Sequence, residues 1–212
     1  MKFLKLSLAS LVASSALFAG TYNVDASHSN VGFKVKHLMI SNVNGKFDTF
    51  SGNFEYDEKT KTLKSLVGEA KVASINTEDA KRDAHLKSAD FFDEANHPTL
   101  TFKLDKIDGD FAYGKLSIRG ITKDVKLNFE NNGEAIDPWG NKRVALELTG
   151  KINRKDFGLN WNKALEAGGV LVSKVKERSL YTVITTGVGA PFSSFSVRAL
   201  NALQNSMMLT PC

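Results

Sequence analysis

Four histidines, His28, His37, His85 and His97, are the side chains of this sequence best suited to chemistry, with Asp25, Asp83 and Asp90 near them to complete a metal shell or orient an imidazole. Their spacing is poor for a ligand set. His28 and His37 are nine positions apart, the His-x-x-x-His arrangement is absent, and nothing in the sequence makes any two of them converge. The alternative is that these rings satisfy buried polar partners or line the rim of a pocket. A hydrolase would need a nucleophile, a base and an orienting carboxylate, and Ser29, His28 and Asp25 supply the three types. On one extended segment they sit too close along the chain to form a relay unaided, and no Gly-x-Ser-x-Gly elbow occurs. A metal-dependent or hydrolytic enzyme using His28, His37 and His85 is therefore the rival reading. The reading preferred here is a binding protein that is not an enzyme and needs no cofactor and no metal.

The elements that would carry such residues are mostly strands. Val31, Phe33 and Val35 alternate with Gly32, Lys34 and Lys36, and Phe50, Phe54 and Tyr56 repeat the pattern before an Asp57-Glu58-Lys59-Thr60 turn. A further strand is expected from about Leu63 to Ile75. Leu100, Phe102 and Leu104 follow, then an Asp108-Gly109-Asp110 turn, Leu116 and Ile118, the series Val125, Leu127, Phe129, and the series Val144, Leu146, Leu148 with Ile152. One-sided strands joined by short turns close most economically into an antiparallel barrel or sandwich, because closure hides both the apolar face and the unpaired edges.

One helical insert interrupts them near residues 77–92. Thr77 can cap it, Glu78 and Asp79 put negative charge in its first turn, and Pro98 prevents its continuation. Ala84, Leu86 and Phe91 are candidates for its inward side, and Lys81, Arg82 and Lys87 for its wet side. The insert either plugs one end of a barrel or helps to hold an apolar molecule inside it.

The amino terminus reads as an export signal over residues 1–19. Lys2 and Lys5 supply the positive end, Leu6 to Phe18 a short apolar stretch, and Ala19 the small residue after which cleavage is expected. That stretch falls short of the roughly 20 residues a spanning helix needs. Its removal leaves a formal charge of +3 on 193 residues, too mild and too mixed for a nucleic-acid partner. Cys212, the sole cysteine, cannot close an internal disulfide, so stability rests on burial, with Phe (14 residues) the favoured aromatic.

Six motifs in order resemble those of the YceI-like proteins, secreted bacterial polyisoprenoid-binding proteins. They are Tyr22-x-x-Asp25-x-x-His28-Ser29, Phe33 to Leu38, Gly45-Lys46-Phe47, Arg82 to Phe92 with Pro98, Gly120-Ile121-Thr122, and Asn153-Arg154-x-Asp156-Phe157-Gly158-Leu159. The resemblance covers about residues 22–175. It implies an extended, lipocalin-like antiparallel barrel with a helix near its mouth, whose interior holds one long isoprenoid or similar amphiphilic lipid, and it implies no catalysis. The expected organisation is a leader over 1–19, a lipid-binding barrel over 20–178, and a carboxy-terminal tail over 179–212. In that tail Arg198 is the only charge, which suggests either an extension covering the barrel or a partner, or a reading-frame change near Lys174 to Arg178. Leu180, Thr182 and Ile184 can still form a strand.

Ligand-binding candidates follow from the inward members of the strands and from the helix. Phe33, Val35, Phe47, Leu86, Phe91, Phe92, Phe102 and Trp161 are candidates for an apolar tunnel, although a filled barrel and a hollow one share one binary pattern. His37, Asn76, Arg82 and Asp83 are candidates for a polar end, where Arg82 would hold a phosphate or polarise a quinone oxygen unless it serves a surface ion pair. The expectation is a periplasmic carrier of a long-chain isoprenoid, touching the membrane peripherally, with homodimer formation left open.

Overall fold

A computed structural model describes residues 19–37, 41–161, 179–185 and 187–189, and for Ala19, Lys36, His37 and everything from 179 onward it describes the main chain alone. The expected export signal lies, apart from Ala19, outside the described residues, as does the expected tail beyond 189.

Twelve strands occur among the described residues: β1 (Ala19–Val24), β2 (Asn30–His37), β3 (Ser41–Phe47), β4 (Phe50–Asp57), β5 (Thr62–Lys71), β6 (Ile75–Asn76), β7 (Thr99–Asp108), β8 (Phe111–Ile118), β9 (Ile121–Ile136), β10 (Lys142–Lys151), β11 (Ser179–Thr185) and β12 (Gly187–Gly189). They form one antiparallel sheet in the order β12-β1-β4-β5-β7-β8-β9-β10-β11-β2-β3-β6. Two short links bring its edges together: β3 runs into β4 through Asp48 and Thr49, and a single residue separates β11 from β12. Across the first seam Asp48 N–H donates to Ser74 O at 3.0 Å and Lys71 N–H to Thr49 O at 2.9 Å. The sheet therefore curls into a lipocalin-like barrel, mainly β, carrying the one described α-helix, α1 (Ala80–Lys87).

The period-two pattern is visible in the burial. In β10, Val144, Leu146 and Leu148 are buried while the residues between them are partly exposed, and in β8 Ala112, Gly114, Leu116 and Ile118 point inward. The expected turns form by the expected chemistry. Asp57 Oδ1 accepts from the N–H groups of Lys59 and Thr60, and Gly109 adopts φ +57° between β7 and β8.

Two boundaries differ from expectation. The strand expected from Leu63 to Ile75 breaks after Lys71 into a single 3₁₀ turn over Val72–Ser74. Ser74 Oγ donates to Lys71 O at 2.7 Å and accepts from Thr49 N–H at 2.9 Å, which turns the chain away from β7 and lets Ile75 and Asn76 pair with Phe47 and Lys46. The helix starts later than Thr77: Asp79 caps it by accepting from Arg82 N–H at 3.0 Å, because the Thr77 hydroxyl and N–H both donate to Asp83 Oδ1 (2.6 and 2.9 Å). Phe91 and Phe92 follow the helix in a compact turn, where Phe92 N–H donates to Leu86 O. No helical residue is buried, and Ala84, expected inward, is exposed.

The core divides in two. One half gathers Tyr22, Phe54, Tyr56, Leu66, Leu104, Leu127, Val144, Leu146 and Leu148; the other gathers Phe47, Ala70, Val72, Ile75, Leu100, Leu116, Ile118, Phe157 and Leu159. Phe102, Val125 and Ile152 pack against both.

Candidate functional site

Between the two halves lies a narrow cavity of about 70 Å³, part of it open to solvent. Leu66, Leu127 and Leu148 come to it from one half of the core, and Phe47, Ala70, Leu100 and Leu116 from the other, with Val24, Val31, Phe50, Gly68 and Phe102 around it. Ser51, Glu69 and Thr101 are the polar residues of the lining. Such a space offers dispersion contacts along its length and few hydrogen-bonding groups, the chemistry of an alkyl or prenyl chain rather than of a polar substrate.

Among the residues expected to form a tunnel, Phe47 and Phe102 line this cavity. Phe33 stands 5.8 Å, ring centre to ring centre, from Phe47, which meets Phe92 edge-on at 5.9 Å. Leu86, Phe91 and Phe92 pack on the second half of the core from the helix side. Trp161 lies with them, its ring 4.7 Å from His85 and 5.3 Å from Phe91. Val35 shares the strand face of Val31 and Phe33 but neither lines the cavity nor joins a core half. The lining positions missing from the sequence reading, among them Phe50, Leu66, Gly68, Leu100 and Leu148, carry the same alternation as the residues proposed; nothing in a binary pattern separates lining from filling.

Two of the polar-end candidates meet at a second, largely polar cleft of about 510 Å³, where Asn76 and Arg82 stand with Asn30, Asn42, Val43, Asn44, Gly45, Lys46, Thr77 and Glu78. Arg82 is held there from within: its Nε donates to Thr77 Oγ1 and its Nη2 to Thr77 O, each at 2.7 Å. Asn76 donates to Asp48 Oδ2 at 2.8 Å, and Asp83 is occupied by Thr77. His37 ends β2 opposite Ser41, and its side chain lies outside the described residues. The two spaces share β2 and β3, and Val43 and Gly45, in step with Phe47, also reach the polar cleft. Val31 and Phe47 line the apolar cavity, whereas their chain neighbours Asn30 and Lys46 line the polar cleft.

The opening motif clamps the chain. Asp25 accepts from Ser27 N–H and Oγ, from His28 and from Arg143 Nη1, the last at 2.6 Å, and these partners, the Ser27 hydroxyl foremost, hold its carboxyl well below the usual carboxylate range. Ser27 Oγ and Asp25 both approach the same imidazole nitrogen, Nδ1 of His28, at 2.9 Å. A hydrolytic relay needs the hydroxyl on one ring nitrogen and the carboxylate on the other, so Ser27, which stands here in place of the Ser29 considered in the sequence, orders a turn with Asp25 and His28. Nearby, burial and a 2.6 Å hydrogen bond to Glu58 push the Tyr22 phenol pKa upward, while Lys142 and Tyr22 hold Glu58 below its ordinary value. Each described histidine side chain pairs with its own carboxylate: His28 with Asp25, His85 with Asp90 at 3.1 Å, His97 with Asp93 at 4.0 Å. Among the described residues no three His, Cys, Asp or Glu side chains gather as a metal shell.

The later motifs also support architecture. Arg154 Nη1 donates to the carbonyls of Leu159 (2.8 Å) and Trp161 (2.7 Å), and burial lowers the pKa of its guanidinium. Phe157 and Leu159 are buried around Gly158, which takes φ +73°. Arg119 reaches Gly158 O and Ala89 O, tying the turn between β8 and β9 to the segment after the helix.

A family model of the YceI-like domain matches residues 22–177. A UPF0312 protein of Staphylococcus aureus strain N315 is 37% identical over 154 residues, which are 72% of this chain and 90% of that protein. The crystal structure of a Campylobacter jejuni YCEI protein, 36% identical, superposes with a TM-score of 0.55 over 73% of this chain and 95% of that one. A polyisoprenoid binding domain from Saccharophagus degradans, 15% identical and with a TM-score of 0.55, shares the fold over 81% of this chain and 99% of its own. Motifs, register and relatives agree: the chain belongs to the YceI-like family.

Proposed function

We propose that the protein binds the hydrocarbon chain of a long isoprenoid or similar amphiphile and carries it through the periplasm. The observation that carries this reading is the cavity between the two halves of the core, apolar along nearly all of its lining. The polyisoprenoid-binding neighbour of the same fold supports a lipid ligand. Each methylene buried from water is worth about 0.8 kcal/mol, yet a lipid arriving from a bilayer is already dry, so the tail term nearly cancels and mouth geometry and head-group contacts govern uptake.

The apolar start of the sequence supports export. Contact with the bilayer fits the hairpin between β9 and β10, whose Ile136 and Trp139 are 74% and 80% exposed. The polar cleft at Asn76 and Arg82 is a candidate for the head group. Binding of this kind uses no cofactor and no catalytic group.

Native mass spectrometry of protein purified without detergent from its natural host tests the reading. A lipid adduct with an isoprenoid or related chain is expected; protein of bare mass together with empty solvent extracts overturns it. Arg82→Ala tests the head-group placement, which is wrong if uptake and head-group preference stay unchanged.

A further inference from the structure

We propose that Gly68 sets the bore of the interior cavity and thereby the length of hydrocarbon chain the protein accepts, an inference that rests on the lipid-binding reading and names the residue deciding its specificity. Several glycines face inward, and their spaces are not alike. A Cβ at Gly45 would lie 2.3 Å from Cζ of Phe33, one at Gly114 2.4 Å from Lys103 O and 2.8 Å from Cζ of Phe102, and one at Gly150 2.3 Å from Cδ2 of Leu127. In those three places a neighbouring side chain already fills the missing volume. At Gly52 a Cβ would meet Val67 O at 2.7 Å, so main chain closes that space. Gly68 differs from all of them: its nearest neighbour would be Ser51 O at 3.7 Å, an ordinary contact, and the residue lines the cavity.

The register explains the vacancy. Gly68 pairs with Gly52 on one side and with Phe102 on the other, so two adjacent strands present no side chain at this level of the wall. The Phe102 ring lies over Gly114 on the next strand and leaves the volume at Gly68 empty. Two residues away on one side is Leu66, in one half of the core; two residues away on the other is Ala70, in the second half. Gly68 is therefore at the waist where a chain passes from one half to the other. Its φ is not in the left-handed region, and the register shift between β4 and β5 falls at Glu55 and Tyr56, so neither backbone strain nor a bulge calls for glycine here. A glycine inside a strand without those reasons marks a close approach, and an approaching ligand chain supplies one.

The test compares the wild type with Gly68→Ala, Gly68→Val and Gly68→Leu, incubated with phosphatidylcholine vesicles carrying either farnesol or the much longer solanesol. The expected result is graded: Gly68→Leu keeps farnesol uptake within about twofold and loses solanesol uptake by about tenfold or more, with circular dichroism and thermal midpoint close to wild type. Unchanged solanesol uptake by folded Gly68→Leu, or equal loss of both alcohols, overturns the proposal. If Gly68→Leu does not fold, Gly68→Val is held to the same criterion. A second measurement needs no lipid. Crystals of the wild type under xenon pressure should hold xenon beside Gly68, and crystals of Gly68→Val should not; a wild type without xenon there overturns the bore. Should the wild type take up neither alcohol yet hold xenon at Gly68, the lipid reading fails and the vacancy stands.

Discussion

Arg143, on β10, reaches Asp25 across 118 positions of sequence and donates from Nη1 to Oδ2 at 2.6 Å, while Nε and Nη2 engage Asp137 at 2.9 Å. One guanidinium thus fixes both the turn between β1 and β2 and the hairpin between β9 and β10. Both carboxylates are mostly buried, so removing their shared cation leaves two poorly solvated charges. Arg143→Ala is expected to lower stability, measurable as a lower midpoint in urea unfolding. The folded Asp25 has a depressed pKa, so its contribution is present above the unfolded value near 3.9 and fades as pH falls below it. The wild-type thermal midpoint should therefore drop on acidification below about pH 4. Arg143→Ala should drop less steeply, and parallel curves would contradict the assignment.

Gly120 and His97 make a second pair whose geometry can be tested by contrast. Gly120 takes φ +72°, and a Cβ there would fall 2.7 Å from His97 Cε1; Gly109 takes φ +57° with nothing within 4 Å. Gly109→Ala should cost about 1 kcal/mol from the left-handed conformation alone. Gly120→Ala must also displace the imidazole and should cost about 2–3 kcal/mol. Equal losses in denaturant titrations would show that the ring gives way freely.

Thr77 is 5% exposed, and its N–H and hydroxyl both depend on Asp83. Asp83→Ala strands two buried donors and loosens the Arg82 guanidinium that rests on Thr77, for a loss of about 1–3 kcal/mol. Amide hydrogen exchange over α1 should accelerate while β7 to β10 keep their protection; uniform acceleration would mean the bonds serve the whole barrel.

Trp139 stands at a tip kept rigid by Asp137, whose Oδ1 accepts from the N–H groups of Trp139 and Asn141. Trp139→Ala combined with Ile136→Ser should leave the thermal midpoint within a degree or two, because neither side chain is packed. Co-sedimentation with lipid vesicles should fall about tenfold. Undiminished co-sedimentation would remove this hairpin from any membrane encounter.

Much of the barrel is legible in the sequence because its strands each bury one face. Val31 and Phe33, Leu100 to Leu104, and Val144 to Leu148 announce β2, β7 and β10 by alternation, and Leu180, Thr182 and Ile184 fall in β11. The 3₁₀ turn after Lys71 is hidden because it depends on a hydrogen bond between Ser74 and Thr49, which are far apart along the chain. The helix start is misplaced for a similar reason: Thr77 has the right chemistry for a cap but is already committed to Asp83. Asp25, His28 and Ser29 supply the residue types of a relay in sequence, and the approach of Arg143 to Asp25 shows how this opening fastens distant strands. Hollowness is least legible of all. The rings of Phe33 and Phe102 and the side chain of Leu127 cover their glycines while nothing covers Gly68, and that choice is made by side-chain direction rather than residue type.

The position of β11 has a consequence for how the molecule assembles. Residues 179–185 sit between β10 and β2, and residues 187–189 pair with β1, so the first two strands cannot complete their hydrogen bonding until the end of the described chain is in place. A polypeptide emerging amino end first must keep those early segments waiting with open edges, vulnerable to pairing with the wrong neighbour. Folding should be slow, and a truncation anywhere before Ser179 should yield an aggregating half-ring rather than a smaller stable domain.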